Sequence, residues 1–93
     1  MNNIYQRVLS KYKDDKVFIS KFKNAQRKWI ALRDADLQAL YPSEEPGEYG
    51  SVNPMCRCII LLNMTKERIK WISQWDLGVS EGDVCSGSIK INE

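Results

Sequence analysis

Histidine is entirely absent from the 93 residues. That removes the commonest general base, the usual partner of a nucleophilic serine or cysteine, and the commonest zinc ligand. A non-enzymatic protein with no cofactor and no metal is therefore expected. Long apolar runs are missing as well. No window approaches the roughly 20 consecutive apolar residues that cross a bilayer, so no transmembrane segment is predicted. No apolar leader opens the chain either, so an exported form would have lost its signal segment. Cysteine is scarce and odd in number, with Cys56, Cys58 and Cys85, which permits one bridge and one spare thiol.

What is present is ordinary soluble-domain composition, 43% apolar and 28% charged. A chain this short hides only about 60 to 65% of its unfolded surface, so one small domain spanning residues 1–93 is expected, with a staple to support its core. The net charge of +2 conceals an asymmetry. Residues 1–33 carry nine Lys or Arg against two Asp, and residues 34–93 carry five against ten acids. The basic residues Arg7, Lys11, Lys13, Lys16, Lys21, Lys23, Arg27 and Lys28 are spaced as the solvated face of helices. No loop or strand with interleaved exposed aromatics accompanies them, and no nucleic-acid partner is inferred.

Apolar periodicity predicts three helices. Ile4, Tyr5, Val8, Leu9 and Tyr12 form one face of a short helix over residues 3–12. Asp14 or Asp15 can cap a second helix over residues 15–40, where Phe18, Phe22, Ala25, Trp29, Leu32 and Leu40 step by threes and fours, interrupted by Asp36. Residues 41–53 hold two prolines, two glycines and three glutamates, and no helix runs through them. Asn53 as cap and Pro54 in the first turn open a third helix over residues 54–75. Its inward stripe is Met55, Ile59, Leu62, Thr65, Ile69 and Ile72, widened by Met64, Arg68, Trp71 and Trp75. Residues 76–93, punctuated by glycine, read as an irregular tail. The expected fold is all-α: a small antiparallel three-helix domain in which two long helices form a hairpin and the short first helix packs beside it.

In that hairpin, pairing the end of the second helix with the start of the third sets Trp29 opposite Thr65 and Gln26 opposite Arg68. Arg68 then lies about 12 Å along the axis from Asp34, and Arg57 is a nearer partner for Asp34 or Asp36. A tail folding back along the third helix spans at most about 33 Å between Trp75 and Cys85, enough to reach Cys58, about 26 Å down the helix, or Cys56, about 29 Å. Both are reachable from Cys85, but only by a nearly extended tail. Cys56 and Cys58 point roughly 200° apart on a helix and make a poor metal site. Asn63-Met64-Thr65 matches a glycosylation sequon but lies mid-helix and is read as chance.

The stretch Ala25-Gln-Arg-Lys-Trp29 through Arg33-Asp34-Ala-Asp36 is helix sequence with one large aromatic and two adjacent charges at the edge of an apolar stripe. With Asn3-Ile-Tyr-Gln-Arg-Val-Leu9 before it and Met64-Thr-Lys-Glu-Arg68-Ile69 after it, the chain resembles the bacterial secreted lysozyme-inhibitor-like family named after the mycobacterial lipoprotein LprI. The resemblance covers about residues 3–75. It implies a small helical domain exported to the periplasm or cell surface, whose founding activity is binding and inhibition of lysozyme. The chain departs from the pattern where the family carries cysteines: Leu37 and Ile60 stand there, so the family's bridge between helices is missing. Cys56 or Cys58 with Cys85 is expected to replace it.

Trp29 is expected in the core, and Arg33, Asp34, Thr65 and Arg68 in a structural network around it, since charges at a helix interface are paired. The partner surface is placed on the loop, where Glu44, Glu45 and Glu48 are flanked by Tyr41 and Tyr49: acidic steering combined with aromatic anchors suits a cationic, lysozyme-like surface. The expected function is that of a secreted or periplasmic binding protein that inhibits lysozyme by occluding it. The alternative is a structural or immunity-like envelope domain with a different protein partner. Oligomeric state and the identity of the bridging cysteine stay open.

Overall fold

A computed structural model describes residues 1–92. It contains three helices, α1 (Asn2–Lys11), α2 (Lys16–Leu40) and α3 (Asn53–Leu77), followed by the two-residue strands β1 (Val79–Ser80) and β2 (Ile91–Asn92). The helix that begins at Lys16 does so because the Asp15 carboxylate accepts a hydrogen bond from the Phe18 amide at 3.0 Å, satisfying a first-turn donor that the helix itself cannot. Pro54 sits in the first turn of α3, where its missing N–H costs nothing. Asn53 is not the cap expected of it. It is the first helical residue, after Val52, and its side-chain oxygen accepts from Arg57 Nε at 2.8 Å.

The molecule is a rod, 54 × 23 × 22 Å with a radius of gyration of 17.2 Å, where a compact chain of this length would measure about 12 Å. The rod shape follows from where α1 lies. A ten-residue helix spans only about 15 Å, against about 37 Å for each long helix, so it covers one end of the pair. There the core forms. Val8 of α1, Tyr12 just after it, Phe22 of α2 and Ile72 of α3 are buried, ringed by Ile4, Tyr5, Leu9, Phe18, Ile19 and Trp75. The rings interlock: Tyr5 stacks on Phe22 with centroids 5.4 Å apart, Phe22 on Phe18 at 5.1 Å, and Phe18 on Trp75 at 6.1 Å.

Beyond the reach of α1 the apolar stripes are largely uncovered. Met55, Ile59 and Leu62, expected to point inward, are exposed, as are Leu32 and Leu40. Periodicity identified these faces as apolar, but among the described residues no third element lies along them to bury them. Among the described residues only Leu37 is a buried hydrophobe outside the core cluster.

The tail does not run back along α3. It turns at Gly78 and curls over the core end, where β1 and β2 pair in parallel, Val79 with Ile91 and Ser80 with Asn92. The Lys90 amide donates to the Tyr12 hydroxyl at 2.8 Å, and Trp75 Nε1 donates to the Ser88 hydroxyl at 3.0 Å. Gly78 permits this turn in two ways. Its φ of +79° is costly for any residue with a Cβ, and a Cβ there would lie 2.7 Å from Asn92 Oδ1 and 2.9 Å from the Lys90 carbonyl oxygen.

The same end is held by charge. The Asp76 carboxylate, its side chain only 11% exposed, lies 3.0 Å from Lys11 Nζ and 3.3 Å from Arg7 Nε. An acid in the last turn of a helix opposes the negative end of the dipole, and the two cations from α1 reverse that penalty. The Lys11 hydrogen bond is the main reason the Asp76 carboxyl is held below the usual carboxylate range; burial is the next effect and opposes it, and the Arg7 and Lys11 charges and the Arg7 hydrogen bond tip the balance downward.

Candidate functional site

The loop between α2 and α3 is folded by its own side chains. Tyr41, at the end of α2, meets Tyr49 edge to face with centroids 5.1 Å apart. The Tyr49 hydroxyl accepts from the Ser43 amide at 2.7 Å, and the Ser43 hydroxyl accepts from the Glu45 amide at 3.2 Å. Backbone turns follow, with the Glu48 amide donating to the Glu45 carbonyl and the Gly50 amide to the Gly47 carbonyl. From α3 the Arg57 guanidinium lies over the Tyr41 ring, 4.7 Å from its centroid. Arg57 therefore engages Tyr41 and Asn53, not Asp34 or Asp36 as its register position suggested.

This packing divides the five loop residues singled out from the sequence into two kinds. Tyr41 and Tyr49 are half-buried braces, and Glu44, Glu45 and Glu48 are exposed on the loop they hold. Among the described residues none of the three glutamates has a salt-bridge partner. The arrangement is a small, shaped, acidic loop between the two long helices.

Trp29 lies midway along the rod and is not in the buried core. Its ring is half-buried, with the guanidinium of Arg33 at 5.4 Å and that of Arg68 at 5.9 Å from its centroid. The core expectation fails because α1 ends its coverage before this level. Cations take the place of hydrocarbon there, a favourable use of the indole face. Arg68 Nε also donates to Gln26 Oε1 at 3.1 Å, joining the two residues that the sequence register sets opposite each other. Partial burial lowers the Arg68 pKa from its ordinary value. Arg33 pairs with its neighbour Asp34 at 3.0 Å, and Asp34 is more than half exposed, so the pair is a local surface contact worth about 0.2 to 1 kcal/mol. Thr65 is half-buried on the facing helix.

Cys56, Cys58 and Cys85 are all free. The expected bridge does not form because the tail spends its length on contacts with Tyr12 and Trp75 at the core end, whereas Cys58 lies about 26 Å away along α3. Non-covalent docking of the tail replaces the staple.

The fold is that of a small, mostly helical protein. A family model described as lysozyme inhibitor LprI matches residues 1–72, and the chain belongs to that family. No curated protein and no solved structure matches it. The matched span holds all of α1 and α2, the acidic loop and most of α3. Among the described residues no helix is long and apolar enough to cross a membrane.

Proposed function

We propose that this protein is a non-enzymatic, secreted or periplasmic binding protein that inhibits a lysozyme by covering it, with the acidic loop as the contacting tip. The observation that carries the proposal is the trio Glu44, Glu45 and Glu48, exposed and without cationic partners among the described residues, on a loop whose shape is set by Tyr41, Tyr49 and Arg57. A preformed loop loses little conformational entropy on binding, and clustered carboxylates steer a cationic partner. Supporting the geometry is our reading of α2 and α3 as an antiparallel hairpin. Tyr41 meets Arg57 at the loop end, Gln26 meets Arg68 midway, and Phe18 meets Trp75 at the core end. That arrangement projects the loop at the tip of the rod.

The test is a turbidity assay of peptidoglycan lysis by lysozyme. Purified protein slows lysis, and changing Glu44, Glu45 and Glu48 together to Lys weakens inhibition at least about tenfold, chiefly through the association rate at low salt. Lysis undiminished at saturating wild-type protein removes the inhibitory claim. Inhibition unchanged by the triple substitution removes the loop from it.

A further inference from the structure

At the core end, α2 and α3 enclose an open groove of about 390 Å³. Its wall is hydrocarbon and aromatic, with Val17, Phe18, Phe22 and Ala25 from α2 facing Trp71 and Trp75 from α3. Two cations stand at this wall, Lys21 and Arg68, and neither has a carboxylate partner among the described residues. Asp15, the one acid lining the groove, already uses its carboxylate to cap α2.

We propose that this groove is a binding site for a soluble single-chain amphiphile carrying a carboxylate, its alkyl chain against Trp71, Trp75 and Phe18 and its headgroup paired with Arg68 and Lys21. Four observations choose this occupant. The volume sits at the small end of ligand pockets, which run from about 300 to 1,000 Å³. Nearly all the lining comes from helices, whose backbone groups are already bonded to one another, so a peptide main chain finds few donors or acceptors to hold it. A guanidinium that is partly withdrawn from water, held at Nε by Gln26, set near the Trp29 ring and without a carboxylate partner among the described residues, selects an anionic headgroup, and its two terminal nitrogens suit the paired oxygens of a carboxylate. Trp71 is 56% exposed, an unusual position for an indole, and a bound chain covers it.

Sodium decanoate and decyltrimethylammonium, each below its aggregation concentration, are titrated into the full chain while the indole N–H resonances of all three tryptophans are followed by NMR. Saturable shifts at Trp71 and Trp75, with decanoate bound at least about tenfold more tightly than the cationic probe, support the proposal. Arg68→Gln and, separately, the exposed Lys21→Gln reduce that preference while leaving the helical circular dichroism intact. Trp71→Ala weakens both probes. Equal affinity for the two probes overturns the headgroup assignment. The absence of saturable binding, or shifts confined to Trp29, overturns the site. Binding to phosphatidylglycerol vesicles without binding to monomeric decanoate assigns the groove to a membrane surface and overturns the proposal. Lysozyme inhibition is read separately, because the loop that carries it lies at the other end of the rod.

Discussion

Ile72 is fully buried where α1, α2 and α3 meet, and Leu62, ten residues earlier on the same helix, is 53% exposed. Truncating each to alanine measures how unevenly the rod stores its stability. Ile72→Ala deletes three carbons from a closed site. At about 0.8 kcal/mol per buried methylene the transfer loss is about 2.4 kcal/mol, and an unrelaxed cavity brings the total to about 3 to 4 kcal/mol. Leu62→Ala deletes three carbons that are about half in water already. That loss is about 1 kcal/mol, partly offset by the better helix propensity of alanine. A domain of this size has a total stability of about 5 to 14 kcal/mol, so the first variant forfeits a large share and the second hardly any. Urea unfolding followed by circular dichroism at 222 nm reads both as shifts in midpoint at constant slope. A difference of less than 1 kcal/mol between the two variants would refute a core confined to the α1 end.

Other outcomes follow from the same structure. With three free thiols, reducing agent leaves the melting temperature unchanged, and a thiol-reactive chromophore titrates Cys58 and Cys85 ahead of the half-buried Cys56; a reductant-dependent melt would reinstate a bridge. Asp76 is held below its ordinary pKa by Lys11 and Arg7, so its contribution is fully present above the unfolded value near 4 and is lost as pH falls through the lower folded value. Asp76→Asn accordingly destabilises at neutral pH and shrinks the loss seen on acidification below about pH 4; an unchanged acid limb argues against the pairing. Gly78→Ala forces a Cβ against Asn92 and Lys90 at positive φ and costs about 1 to 3 kcal/mol, with proteolysis of the tail accelerated before any change in the helices.

Which half of the rod is solid could not be read from periodicity. Met55, Ile59 and Leu62 follow the same three-or-four-residue spacing as Ile69, Ile72 and Trp75, yet the first group is exposed and the second packs at or near the core. The pattern tells which face is apolar. Whether another element reaches that face depends on the length and placement of α1. Trp29 was misplaced for this reason: it lies on the right stripe, at a level where arginines rather than α1 approach the ring. The aromatic groove was likewise hidden, because Trp71 and Phe18 belong to helices that become neighbours only in the folded chain, and their periodicity alone marked both as core.

Local chemistry was written in the chain itself. An aspartate cap at residue 14 or 15, the Pro- and Gly-punctuated loop, three helices within two residues of their ends, and an acidic cluster in residues 41–53 follow from backbone preferences that act over a few residues. The absence of histidine and the motif around Trp29 narrowed the class of protein before any coordinates. Tertiary structure alone decided the fate of the cysteines, the bracing role of Tyr41 and Tyr49, the partnership of Asp76 with α1 and the docking of the tail on Tyr12 and Trp75. Each of those depends on groups that are distant in sequence finding each other within a few ångströms. Burial and pairing at such range are set by how whole helices pack, which no single stretch of sequence encodes.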